Sequence, residues 1–306
     1  MALPYRWQWR VERLKSYFHG FFGGNEPPRP KLCPACGALV GISATKCYEC
    51  GTSLRFSLAA ASKSLNGVIG GETPVTTLIL IVNVLLFGVS MLATAHETGS
   101  IGLFGGVSGQ VLFRLGARHS GAIILGHQYW RLVMPMFLHA GLLHFGMNSL
   151  FFVDIGPQVE RIYGSARYLF IYVVTGIFSF VASTAWNVWS HHGGGIGIGA
   201  SGALAGLIGV MLGMSSGRGS SYARMIRSQM WRMVGYLVIM ALLPIGVDNA
   251  AHFGGLAGGF LLGKVMMDRE PMNSRERNRA YAMGWAAGIV VVAGFAAMLV
   301  QYFRAN

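Results

Sequence analysis

Seven apolar runs of transmembrane-helix type, near 76–95, 132–153, 168–187, 199–215, 233–247, 250–267 and 281–303, constrain this chain more than any other feature. A bilayer interior offers no water to backbone N–H and C=O groups, so a chain with many such runs folds as a helix bundle. Only 11% of the 306 residues are charged, against about 25% in a soluble domain. The expected fold class is an all-α polytopic membrane protein.

A net charge of +13 invites a nucleic-acid reading, but its distribution excludes one. Twenty of the 24 Lys and Arg fall in 1–75, 154–167, 216–232 and 264–280, which alternate with the remaining inter-run segments. That is the positive-inside pattern with a cytoplasmic N-terminus. The charge is thus a topology signal, with contact to anionic lipids as a secondary effect. The expected location is a prokaryotic inner (plasma) membrane.

Residues 1–31 are basic and aromatic, with Tyr5, Trp7, Trp9, Tyr17, Phe18, Phe21 and Phe22, and no apolar h-region of a cleavable signal. They read either as an amphipathic surface helix or as a cytoplasmic tail. Pro27, Pro28 and Pro30 close this segment as a linker. Residues 32–55 carry all four cysteines, as Cys33-x-x-Cys36-Gly and Cys47-x-x-Cys50-Gly. Two C-x-x-C knuckles can bring four thiolates into the tetrahedral array that suits a structural zinc ion, as in small zinc ribbons. Two local disulfides or an iron site are the alternatives; a cytoplasmic setting, which keeps thiols reduced, argues for zinc. With so little core, the metal would supply most of the folding energy. Residues 56–75 are a Ser/Gly/Ala-rich connector, and 96–131 an outside-facing loop, glycine-rich near 99–109. This loop is expected to lie partly in the membrane interface, anchored by Trp130 and Arg131.

Three polar islands interrupt the apolar runs. One is Ser201, set among Gly199, Ala200, Gly202 and Gly206. A second is His144 with Asn148, four apart and so on one helical face, with His139 nearby. The third is His252, beside Ala251, Gly255 and Gly259. Polar groups inside a bundle are functional-site candidates; the competing reading for His144 and Asn148 is a structural interhelical hydrogen bond. Small residues beside both Ser201 and His252 predict that their helices pack closely, bringing the two side chains within reach near the outer surface. Serine, histidine and extra polar donors are the parts of acyl transfer: nucleophile, general base and oxyanion donors. Glu160 and Arg161, at the cytoplasmic end of their run, read as structural.

These residues resemble the rhomboid family of intramembrane serine proteases over about 76–267. The resemblance rests on Trp130-Arg131, His139, His144-x-x-x-Asn148, Gly199-x-Ser201-Gly202 and Ala251-His252-x-x-Gly255-x-x-x-Gly259. It implies a rhomboid-like six-helix bundle at 76–267, followed by a seventh, C-terminal transmembrane helix within 268–306 and preceded by the appended zinc ribbon. It implies Ser201 as nucleophile, His252 as base, and His144, Asn148 and the Ser201 N–H as the oxyanion hole. His139 would order the loop or local water. The substrates implied are single-span transmembrane proteins cut near the outer face, with no cofactor needed for catalysis. Many members carry an aromatic residue four positions after the serine, stacked on the imidazole; here that position is Ala205. Asp248, four before His252, reads mainly as a helix cap, or else as a third member that holds the imidazole. The competing functions are a catalytically inactive relative that binds membrane helices, and a transporter with His144, His252 and Asp248 as a proton path.

Overall fold

The computed structural model describes residues 31–33, 36–41, 44–51, 53–54, 72–99, 106–190, 195–243, 246–269 and 271–305. The basic aromatic segment 1–30 and most of the 56–75 connector lie outside the described residues. The chain divides into two compact units, Met1–Ser57 and Leu58–Asn306.

The first unit holds a two-residue antiparallel hairpin, β1 (Lys31–Leu32) with β2 (Leu39–Val40). The rest of its described part is turns and an isolated antiparallel bridge between Lys46 and Ser53. Gly37 (φ 77°) and Gly51 (φ 68°) follow the two C-x-x-C pairs and take up the left-handed backbone that closes each knuckle. Their N–H groups donate to Cys33 O and Cys47 O, both at 2.8 Å.

The second unit is helical. Among the described residues it contains α1 (Pro74–Thr98), α2 (Gly109–Arg114), α3 (Ser120–Ile124), α4 (Leu142–Tyr163), α5 (Ser165–Trp189), α6 (Ser201–Ser215), α7 (Ser221–Leu242), α8 (Asn249–Val265) and α9 (Ser274–Ala305). Helices α1, α5 and α9 are long and apolar enough to cross a membrane by length and composition. Buried Glu160, at the end of α4, accepts from Val75 N, Thr76 N and Thr76 Oγ1, all within 3.0 Å. It thereby satisfies the free donors in the first turn of α1.

Helix α6 is the axis of the bundle. Every residue from Gly202 to Ser215 is buried, and α4, α5, α7 and α8 surround it. Its 15 residues rise only about 22 Å, short of the about 30 Å hydrocarbon core. It need not span that core alone, because protein covers it and the residues just before it, Gly197, Gly199 and Ala200. The 25-residue α5 beside it rises about 37 Å, so the start of α6 can lie recessed among longer neighbours.

Three helices differ most from the sequence expectation, and the one expected at 132–153 also ends later, at Tyr163. The run at 132–153 starts its helix only at Leu142, because Tyr129–Leu132 and Met134–Phe137 form two 3-10 turns and Leu138 is extended. Pro135 lacks an N–H to continue a helix, and its carbonyl accepts from Leu138 N–H at 3.2 Å and from Gly199 N–H at 2.9 Å. Helix α7 runs Ser221–Leu242 rather than 233–247. Ser220 caps it through Ala223 N at 3.2 Å, and Arg224, Arg227 and Arg232 lower the hydropathy of its first half without ending the helix. The last helix begins at Ser274, not 281, for the same reason.

Candidate active site

Glycines steer the approach to Ser201. Gly197 exchanges two backbone hydrogen bonds with Arg118, at 2.9 and 3.0 Å. Gly199 turns the chain with φ 117°, and a Cβ there would lie 2.7 Å from His144 Nε2 and 3.6 Å from Ser201 Oγ. No side chain fits, because the His144 ring already occupies the space a Cβ would need. Ser201 is the first residue of α6, which leaves its N–H among those without an intrahelical acceptor.

His252 lies in the first turn of α8. Asp248 caps that helix: its Oδ1 accepts from Ala251 N at 3.0 Å. The helix then packs backbone to backbone on α6. A Cβ on Gly255 would lie 2.0 Å from Gly202 O, one on Gly259 2.0 Å from Gly206 O, and one on Gly263 2.2 Å from Val210 O. Small faces allow this approach, as expected. The result is a His252 Nε2 to Ser201 Oγ distance of 2.8 Å. His252 Nδ1 is buried and meets no hydrogen-bond partner among the described residues. The Asp248 carboxylate is engaged elsewhere: Oδ2 accepts from Ser183 Oγ and from Arg118 Nη2, the latter at 3.5 Å. Asp248 is therefore a cap and a tie between elements, and its oxygens are not on the imidazole.

His144 Nδ1 accepts from Ala140 N–H at 3.3 Å. That bond assigns the ring proton of the neutral imidazole to Nε2, the nitrogen that borders the space at Gly199. Asn148 Nδ2 donates to His144 O at 2.7 Å, one helical turn back, which leaves its second amide hydrogen for another acceptor. Asn148 Oδ1 is buried and unpartnered. His139 is 1% exposed with neither nitrogen partnered, and its ring meets those of His144 and Phe145 edge-on at 5.5 and 5.3 Å.

Arg131 corrects the interfacial-anchor expectation. It is 1% exposed, and its Nη1 donates to Phe113 O (2.7 Å) and Ala117 O (3.0 Å) while Nε donates to Gln128 Oε1 (2.6 Å). The rings of Phe113 and Trp130 stack on the guanidinium at 4.2 and 4.6 Å. Burial lowers its pKa to about 10, which still leaves it charged at neutral pH. The loop is thus built around Arg131 as an internal staple, because a guanidinium can satisfy several loop carbonyls at once. Sequence reasoning also missed Arg118 and Ser183. Their only signal was an arginine in the loop after the first helix and a serine on a helix face.

In the first unit, Cys33, Cys36, Cys47 and Cys50 bring their sulfurs within 4.8 Å of one another. Cys33–Cys50 and Cys36–Cys47 are each 3.6 Å apart, too far for a disulfide bond. A tetrahedron of 2.3 Å zinc–sulfur bonds has edges of about 3.8 Å, so the donor set and spacing fit a metal ion.

Residues 126–269 match the family model described as Rhomboid domain. The chain is 32% identical over 220 residues to "RHOMBOID-like protein 6, mitochondrial" of Arabidopsis thaliana, covering 65% of this chain and 69% of that protein. It is 32% identical over 163 residues to "Rhomboid protease GluP" of Bacillus subtilis, covering 51% of this chain and 29% of that one. It is also 32% identical over 147 residues to "Putative rhomboid protease YdcA" of the same bacterium, covering 47% and 70%.

Proposed function

Because the chain belongs to the rhomboid family, we propose that it is an intramembrane serine endopeptidase acting through Ser201 and His252. The observation that carries this reading is the 2.8 Å separation of His252 Nε2 and Ser201 Oγ at the start of α6. His252 takes the hydroxyl proton as Ser201 Oγ attacks the scissile carbonyl. The Ser201 N–H, His144 Nε2–H and the free amide hydrogen of Asn148 stabilise the oxyanion. His252 then gives its proton to the leaving amine, and the acyl-enzyme forms. A water deprotonated by His252 releases the second product, so one difficult hydrolysis becomes two easier steps.

The substrates on this reading are single-span transmembrane proteins, cut near the outer face. The charge distribution supports a cytoplasmic N-terminus and an inner (plasma) membrane. The ion held by Cys33, Cys36, Cys47 and Cys50 is zinc, in a structural role, since four protein thiolates leave no position for a substrate. The test is a fluorophosphonate label on purified protein, with a panel of transmembrane substrates, comparing wild type with Ser201→Ala. Labelling and cleavage by wild type alone are expected. A folded wild type that neither labels nor cuts would favour an inactive binder of membrane helices.

A further inference from the structure

We propose that Arg118 is a positioning residue that braces Ser201 and His252 together; this rests on the protease reading of that pair. Its backbone exchanges hydrogen bonds with Gly197, at 2.9 and 3.0 Å, four residues before Ser201. Its side chain meets Asp248 Oδ2 at 3.5 Å, four residues before His252. One residue of the loop after the first helix therefore holds the entry to both helices that carry the pair. At 3.5 Å the side-chain contact acts as an ion pair more than as a tight hydrogen bond; Arg118 is 3% exposed, while the Asp248 side chain is 23% exposed, so solvent reaches the pair from the carboxylate side only.

The rest of the surroundings make the brace stiff. Arg118 Nη1 donates to Ser120 Oγ at 3.1 Å, and the preceding carbonyl, Ala117 O, is held by Arg131 at 3.0 Å. Asp248 is held from the other side by Ser183 of α5 and by the cap bond to Ala251 N. Gly197 leaves the room: a Cβ there would lie 2.8 Å from Arg118 Nε and 3.1 Å from Asp248 Oδ2. A brace is needed because the imidazole has little else. His252 Nδ1 has no partner, and Ala205 offers no ring to stack on it. The ring's aim then depends on how rigidly the first turn of α8 is set against the start of α6.

The experiment uses the full-length protein in detergent or bilayer. Labelling rate, kcat and KM on a transmembrane substrate, and melting temperature are measured for five variants. Arg118→Met removes the charge but keeps the backbone bridge. Arg118→Lys restores the charge. Asp248→Ser keeps a capping oxygen but cannot reach Arg118. Gly197→Ala wedges the contact apart. The fifth is Arg118→Met with Asp248→Ser. A misplacement near 1 Å can cost about 10²-fold in rate, so a fall of about tenfold or more in kcat and labelling is expected for Arg118→Met, Asp248→Ser and Gly197→Ala. KM should stay within about twofold, Arg118→Lys should recover most of the rate, and the double variant should match the worse single one. Wild-type labelling rates in the folded variants, or losses that multiply in the double variant, overturn the brace. A wild type that neither labels nor cuts sinks the protease reading instead; the melting temperatures then judge the brace, and independent, additive losses for Arg118→Met and Asp248→Ser overturn it.

Discussion

His252 Nε2 stands 2.8 Å from Ser201 Oγ, while the other nitrogen of the same ring is buried without a partner. Among the described residues no third member orients the imidazole, so the pair is expected to work as a dyad. Ser201→Ala and His252→Ala should each abolish cleavage with the bundle still folded. The double variant should be no slower than either, because residues that act as one unit do not contribute additively. Substrate cleavage in detergent checks this, with thermal melts to confirm the fold; cutting by Ser201→Ala at the wild-type rate would refute it.

The donors on α4 should act on kcat. Loss of one oxyanion donor typically costs about 10²–10³ in kcat. Asn148→Ala and His144→Ala should approach that range, reduced to the extent that the Ser201 N–H and the remaining side chain compensate. Steady-state kinetics decide: a change confined to KM would mean that these residues bind substrate rather than the oxyanion.

The cysteine cluster should hold one zinc ion per chain. Elemental analysis of the purified protein is the measurement, and Cys33→Ser should lose the metal. Among its described residues the small unit buries only Val40, Cys33, Cys47 and Cys50 as apolar core, so it should unfold once the metal is removed. Cleavage by the helical unit should persist. Iron, or no metal, would refute the assignment.

Glycines on α4 and α8 should differ sharply in tolerance. Gly146→Ala meets nothing within 4 Å and should leave the melting temperature unchanged or raise it slightly. Gly255→Ala would drive its Cβ to 2.0 Å from the Gly202 carbonyl, so α8 must move away from α6. Overpacking of this kind costs about 1–3 kcal/mol. It should also lengthen the Ser201–His252 contact and slow labelling. Equal melting temperatures for the two variants would show that the helices are not in backbone contact there.

The sequence by itself determined which stretches become helices in the bundle, that the helices of Ser201 and His252 could approach closely, and that four cysteines form a pair of knuckles. These are local properties: hydropathy, small residues at helical spacing, and C-x-x-C turns closed by glycine. It misjudged where Leu142 and Ser221 begin their helices, since hydropathy marks the apolar part of a helix and not its capped end. Only the tertiary structure decided that Arg131 faces inward onto loop carbonyls, and that Asp248 ties α5 and the loop rather than the imidazole. It alone distinguished Gly146, which faces open space, from Gly255, which touches a backbone. The Arg118–Asp248 contact joins residues 130 apart, and no pattern along the chain encodes it. Such a pairing exists only once α6 and α8 have packed, because packing, not spacing, sets which charges share the same small volume.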